Sequence, residues 1–132
     1  MLAPCEVAVK SVIPAMRAFI SKELTQSYRM KQNDVASLLG ITQAAVSKYT
    51  RQVRGTAIKI DQAQEIRAMM QEISKQLAEK QLLAPQLAIK LCEVCKAVRQ
   101  TGLMCPLCKR SDPSLDILKC YVCKSEKSAC VG

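Results

Sequence analysis

The sequence predicts a mainly α-helical protein with an N-terminal helix-turn-helix domain, a connecting helix and a small C-terminal cysteine-rich metal-binding module. Three observations support this prediction. Apolar residues recur at helical spacing through most of the chain, a glycine separates two short helical patterns, and three Cys-x-x-Cys-Lys repeats occupy the final third. We place the three parts at residues 1–60, 61–84 and 85–132.

The composition points to a nucleic-acid partner. Apolar residues make up 49% of the chain and aromatic residues only 3%, so we expect an aliphatic, Met-rich core. Twenty basic residues oppose eleven acidic ones, and nine of the basic residues lie within 1–60 beside three acidic ones. This excess favours a polyanion, nucleic acid before an anionic membrane. No uncharged apolar run reaches membrane-spanning length, so we expect no membrane partner.

Two longer helical patterns flank the central motif. Residues 5–28 predict a helix in two pieces, with Pro14 in the first turn of the second piece. Its apolar face consists of Met16, Phe19, Ile20 and Leu24.

The second pattern predicts a helix from Asp61, as N-cap, to about Leu83, ended by Pro85. Its apolar seam is Ile66, Met70, Ile73 and Leu77. The helix either packs on its own domain or forms a dimer helix.

The stretch "QNDVASLLGITQAAVSKYTRQVRG", which begins at Gln32, predicts two short helices at about 32–39 and 43–53. Ala36 is small where the second helix crosses, Gly40 permits the positive φ of a sharp turn, and Thr42 can cap the second helix. The predicted inward residues are Val35, Leu39, Ile41, Val46 and Tyr49. Such offsets are typical of a helix-turn-helix, whose second helix enters the major groove of DNA.

The outward residues of the second helix favour base recognition. Gln43 can pair with adenine, Ala44 can touch a thymine methyl, and Ser47 lies beside them. Lys48, Arg51 and Arg54 can bind phosphate, as can the basic residues at 29 and 31. The alternative is a helical hairpin with charged outer faces.

The segment "QNDVASLLGITQAAVSKY" is similar to the Cro/lambda-repressor-like (XRE) helix-turn-helix. The resemblance implies that Gln32 and Gln43 form a supporting pair at phosphate and base. The whole layout resembles archaeal predicted transcriptional regulators that join this motif to a C-terminal cysteine cluster, taken as an iron–sulfur site. It implies a sequence-specific homodimeric regulator of double-stranded DNA that responds to redox state or iron. The candidate DNA-binding residues are Gln32, Thr42, Gln43, Ala44, Ser47, Lys48, Arg51 and Arg54.

The repeats "CEVCK", "CPLCK" and "CYVCK" predict a metal site, because a Cys-x-x-Cys pair is commonly a chelating turn and two turns make a four-thiolate site. The candidate ligands are Cys92, Cys95, Cys105, Cys108, Cys120 and Cys123. Spacing leaves the tetrad open; the first two pairs are favoured, since Gly102 eases the return between them. We expect Cys5 to be a core residue and Cys130 to be a spare ligand or unpaired thiol.

The metal is either Zn²⁺ or an iron–sulfur cluster. Closed thiolate sites in small modules favour structural zinc, and the ferredoxin run Cys-x-x-Cys-x-x-Cys is absent, whereas the resemblance favours iron–sulfur. One site is expected, and eight cysteines would suffice for two. Spare thiols would suit a redox-responsive centre.

The function expected from these patterns is DNA-binding transcriptional regulation with a cysteine-ligated metal centre. The alternative is a constitutive DNA-binding factor whose structural zinc ribbon contacts another protein. No enzyme is expected, because the chain has no histidine, no paired-carboxylate pattern and no phosphate-cradling glycine loop. The opening segment has no basic export region and is interrupted by charges, so we expect a cytoplasmic protein.

Overall fold

A computed structural model describes residues 4–116, 118 and 120. The described residues are mainly helical and contain no strand, which confirms the mainly α prediction. Cys123 and Cys130 lie outside the described residues, as does the side chain of Cys5. The helices are α1 (Pro4–Lys10), α2 (Val12–Lys22), α3 (Gln32–Leu39), α4 (Gln43–Thr50), α5 (Gln64–Ala78), α6 (Ala84–Thr101) and α7 (Cys105–Ser111). A π-helical turn, Glu23–Ser27, continues α2, and a 3-10 turn, Ile60–Gln62, precedes α5.

Helix α2 is the central helix and contacts α1, α3, α4, α5 and α6. Three residues of its predicted apolar face, Met16, Ile20 and Leu24, are fully buried, and Phe19 packs partly buried against the same core. The predicted break between two helical pieces falls at Ser11. Proline can occupy the first turn of a helix because the amide groups there have no helical acceptor, and the structure follows this rule.

Helix α5 carries the predicted apolar seam on its inner face. Its seam residues are all at most 3% exposed and belong to the chain's own core: Ile66, Met70, Ile73 and Leu77. This arrangement matches the alternative in which the helix packs on its own domain. The homodimer stays a prediction and requires another surface.

The start of α5 differs from the prediction. Asp61 does not cap the helix; it lies in the 3-10 turn, and Ala63 occupies the N-cap position without a side-chain hydrogen bond. Ile58 and Ile60 are both buried, so these two side chains enter the core before α5 begins.

The end of α5 also differs, because the helix stops five residues before Leu83. Lys80 adopts a left-handed φ of 57°, the Lys80 amide donates to the Leu77 carbonyl, and the Gln81 amide donates to the Gln76 carbonyl at 2.8 Å. These bonds form a Schellman motif, which ends a helix most often at glycine.

The segment after Pro85 is helical, contrary to the expectation that turns replace helical periodicity there. Pro85 lies in the first turn of α6, an 18-residue helix, where the Gln86 side chain accepts a 2.8 Å bond from the Leu83 amide. Proline therefore starts this helix as well as following the previous one.

Helix α6 packs on α2 and α5. Its buried residues Leu87, Val94 and Val98 join one apolar cluster with the core of α1–α5. The division of the chain near residues 60 and 85 stays a prediction, and the described core is continuous across both positions. Within the described part of the chain, no helix combines the length and apolar character needed to cross a membrane.

Candidate nucleic-acid interface and cysteine pairs

The turn between α3 and α4 has the predicted geometry. Gly40 has a left-handed φ of 67°, and the Ile41 amide donates to the Ala36 carbonyl at 3.0 Å, which closes the end of α3. Thr42 caps α4, since its hydroxyl oxygen accepts a 3.1 Å bond from the Ala45 amide. The predictions for Gly40 and Thr42 are confirmed.

The inward faces of the two helices bury the predicted residues. Val35 and Val46 are fully buried, Tyr49 is 3% exposed, and Leu39 and Ile41 pack partly buried against the core. Helix α4 contacts both α2 and α3, so its orientation is fixed on its inner side by apolar packing. Its outer face is therefore held in a defined position.

The outer face of α4 presents the residues predicted to contact bases. Thr42, Gln43 and Ala44 are exposed, and Ser47 and Lys48 are half-buried. Nε2 of Gln43 donates a 2.5 Å hydrogen bond to Oε1 of Gln32 at the start of α3. This contact joins the first residues of both helices and restricts the rotamers of an otherwise exposed glutamine.

Helix α4 ends at Thr50, three residues before the predicted end. Gln52 has a left-handed φ of 61°, and the Val53 amide donates to the Lys48 carbonyl at 3.0 Å. Nε of Arg51 donates to the Ser47 carbonyl at 3.4 Å, so Arg51 stays beside the exposed face.

Arg54 takes a different direction from Arg51. Its guanidinium carbon lies 6.0 Å from the centre of the Tyr49 ring, within the range of a cation–π contact. Arg54 therefore lies beside Tyr49 in the last turn of α4. Arg29 and Lys31 are exposed just before α3. Among the described residues, none of these basic side chains forms an ion pair with a carboxylate.

The first two cysteine pairs lie on helices, which corrects the expectation of chelating turns. Cys92 and Cys95 lie within α6, and Cys105 and Cys108 lie in α7. In a chelating turn, free amide groups donate to sulfur, but most amides of these helical residues bind backbone carbonyls instead. Gly102 has a φ of 82° and allows the turn between the helices, as predicted.

Cys95 is the most buried of the described cysteines and has a charged neighbour. It is 5% exposed, and Arg99, one helical turn further on, is 3% exposed and hydrogen-bonds its sulfur. Burial raises the pKa of the Cys95 thiol, and the positive charge of Arg99 opposes that effect only in part. Cys95 is thus a buried thiol whose pKa lies above its ordinary value.

Arg99 was not among the residues singled out from the sequence. The pattern that could have identified it is helical spacing, because Arg99 lies four residues after Cys95 on the buried face of α6. Lys22 and Lys59, which line a cavity between α2 and the end of α4, were not singled out either.

The described residues do not form a complete metal site. In that part of the chain, no three side chains of the Cys, His, Asp or Glu types come together in a way that could hold a metal ion. Cys92, Cys105, Cys108 and Cys120 are half-buried, and Cys95 is buried. A four-thiolate centre would need cysteines outside the described residues or a rearrangement of these helices.

Comparison with known proteins gives no match to a family model, to a curated protein or to a solved structure. The class defined by the fold is therefore the coarse one, a mainly helical protein, and its function has to be argued from the residues themselves.

Proposed function

We propose that the protein is a sequence-specific DNA-binding transcriptional regulator that inserts α4 into the major groove of double-stranded DNA. The observation that carries the proposal is the joint arrangement of the Gly40 turn, the Thr42 cap and the Gln43–Gln32 hydrogen bond. Together they present the exposed first turn of α4 on a rigid support. Base recognition requires such a support, because a side chain must be held to pair with one base and reject the others.

Charge supports the same proposal. The chain carries a net charge of +9, and nine of its basic residues lie within residues 1–60. Phosphate contacts position a protein on the duplex and provide most of its non-specific affinity. Arg51 and Lys48 follow the exposed first turn of α4 and would contact the phosphates that flank the recognised bases.

The test is selection of binding sites from a random duplex library by the purified full-length chain. We expect enrichment of one sequence, and of an inverted repeat if the protein binds as a homodimer. Recovery of no consensus, together with equal affinity for all duplexes, would contradict sequence-specific recognition. Absence of binding to any duplex at low salt would refute DNA binding altogether.

The second part of the proposal is a cysteine-ligated centre of Zn²⁺ or iron–sulfur type that makes the regulator respond to iron or redox state. Its support is the threefold Cys-x-x-Cys-Lys repeat in the sequence. Anaerobic purification followed by a visible spectrum and metal analysis tests it. A colourless protein with one tightly bound zinc would favour the alternative, a constitutive factor with structural zinc. A protein free of metal would refute both.

A zinc ribbon as such is not supported. The two cysteine pairs within residues 92–108 lie on helices, whereas ribbon and knuckle sites place such pairs in tight loops. Zinc bound by the first two pairs would therefore be held by helical cysteines or would require these helices to rearrange.

A further inference from the structure

A cavity of about 480 Å³ lies behind α4, on the side that faces α2. Its walls come from α2, the π-helical turn, the end of α4 and the loop at 51–61. The volume falls within the range of small-molecule sites, which runs from roughly 300 to 1,000 Å³. The proposed base-contacting residues Gln43, Ala44 and Ser47 do not line it. Of the candidate DNA-binding residues only Arg54 does, so the DNA-binding proposal does not account for the cavity as a whole.

The cavity is shaped by backbone as well as by side chains. Gly55 has a φ of 79°, and a Cβ atom there would lie 2.6 Å from the Pro14 carbonyl oxygen and 2.8 Å from Cβ of Ala18. The loop is thus in direct contact with α2. On the opposite wall the helix widens into the π turn, where the Thr25 hydroxyl donates to the Ser21 carbonyl at 2.8 Å. Single π turns are rare and occur often at functional sites.

The lining combines three kinds of group. Phe19 and Tyr49 supply aromatic surface. Three cations, Lys22, Arg54 and Lys59, also line the cavity. No ion pair joins any of these cations to a carboxylate within the described part of the chain.

Two carboxylates, Glu23 and Asp61, complete the polar lining. Carboxylates accept hydrogen bonds from hydroxyl and amino groups and repel anions. Cations, acceptors and an aromatic side chain in one cavity therefore fit a ligand that combines an anionic group, hydroxyl or amino groups and a planar ring.

We propose that this cavity binds a small nucleoside phosphate. The phosphate contacts Lys22, Lys59 and Arg54, the sugar hydroxyl or base amino groups donate to Glu23 and Asp61, and the base packs against Phe19, which is half-buried, whereas Tyr49 is only 3% exposed. Phosphate recognition by Lys and Arg and stacking of a base on an aromatic ring are general features of nucleotide recognition. This site does not depend on the proposed DNA-binding function.

The experiment uses the isotope-labelled full-length protein, as purified, and follows its amide NMR signals. The probe is adenosine 5′-monophosphate, added to millimolar concentration at low salt. Adenosine and inorganic phosphate, added separately, probe the nucleoside part and the phosphate part of the site. We expect saturable shifts at residues 22–26 and 52–61 with the monophosphate, and weaker binding of either half alone. Absence of saturable shifts in these two segments would overturn the proposal.

Variants then test the assignment of the charges. The double change Lys22→Gln and Lys59→Gln should weaken monophosphate binding by about tenfold, because Lys22 is half-buried and Lys59 exposed, and charges that water reaches contribute modestly. Lys75→Gln, an exposed lysine of α5 away from the cavity, is the matched control. Lys59→Gln alone provides a second variant at an exposed position should the double variant unfold. Unchanged affinity in a folded variant would overturn the proposal.

Binding to duplex DNA shows whether these lysines recognise a nucleotide phosphate or the phosphates of the DNA backbone. Affinity of the double variant for a random duplex should stay within twofold of the parent, since neither lysine is among the proposed DNA contacts. If duplex affinity falls as much as monophosphate affinity, these lysines are DNA-phosphate contacts, and a separate nucleotide site is refuted.

Discussion

Gln43, the first residue of α4, donates a hydrogen bond from Nε2 to Oε1 of Gln32, the first residue of α3. The bond consumes one amide proton of Gln43 and leaves its own oxygen and second amide proton free for other partners. A bidentate pair with adenine needs one donor and one acceptor. The contact therefore orients Gln43 without removing its capacity to recognise a base.

The first prediction concerns this pair. Gln43→Ala should cost about 1–3 kcal/mol at one base position of the selected site and leave the affinity for random DNA nearly unchanged. Gln32→Ala should lose part of the same discrimination, because Gln43 then samples more rotamers. Binding measured on the consensus and on single-base variants checks both. Gln100→Ala, an exposed glutamine on α6, serves as the control.

The double variant provides the sharper comparison. If Gln32 acts through Gln43, the loss in the double variant should equal that of Gln43→Ala alone, rather than the sum of the two. Additive losses would indicate that Gln32 contacts DNA directly and independently of Gln43.

The second prediction concerns Arg51. Its replacement by alanine should weaken binding to all duplexes alike and lower the slope of log K against log salt by about 0.9, the value for one lost phosphate contact. Titrations at several salt concentrations measure this slope. Arg67→Ala removes an exposed positive charge from α5 and should leave the slope unchanged. A loss confined to the consensus would assign Arg51 to base contact.

The third prediction compares two glycines with similar φ. Gly40→Ala meets open space and should cost only the strain of a left-handed residue, about 1–2 kcal/mol. Gly55→Ala adds a contact of 2.6 Å with the Pro14 carbonyl oxygen, which cannot move cheaply, so its cost should exceed that of Gly40→Ala by roughly 1–3 kcal/mol. Urea unfolding of both variants tests the order. Equal costs would mean that the 51–61 loop can move away from α2.

The fourth prediction concerns thiol reactivity in the reduced, metal-free protein. Thiolate is the reactive form, and burial both raises the pKa of Cys95 and blocks access. Alkylation of Cys95 at pH 8 should therefore be at least about tenfold slower than that of half-buried Cys92 on the same helix. Mass spectrometry of time points separates the two sites after digestion. Denaturant should remove the difference, and equal rates in the folded protein would contradict the burial of Cys95.

The raised pKa of Cys95 also makes the stability of the protein depend on pH. A thiol whose pKa is higher in the folded chain than in the unfolded chain keeps its proton longer when folded. Its contribution to folding is complete below the ordinary pKa of cysteine and is lost as the pH rises through the higher folded value. Cys95→Ser should therefore flatten the decline of stability at alkaline pH, as measured by urea unfolding from neutral to alkaline pH.

Sequence patterns predicted those features that depend on local geometry. Gly40 and Thr42 were identifiable because a sharp turn and an N-cap each require particular residue types. The seam of α5 followed from apolar periodicity. The ends of α4 and α5 were not predictable, because Gln52 and Lys80 adopt the left-handed conformation that glycine usually supplies.

The cysteine region shows where a motif misleads. Cys-x-x-Cys suggested a turn, but Leu87, Val94 and Val98 have helical spacing, and burying them in the core stabilises α6. The cavity behind α4 could not be anticipated either, since it depends on how the 51–61 loop crosses α2.

The continuous core that joins α6 to α2 sets a limit on dissecting this protein. A fragment ending near residue 83 would keep the whole turn motif yet leave bare the surfaces of α2 and α5 on which α6 packs. Such a fragment would lack the partner that shields its interior from water. Transplanting residues 1–83 onto another scaffold therefore requires a substitute for α6, and deletion of the cysteine-bearing segment removes a structural support together with its thiols.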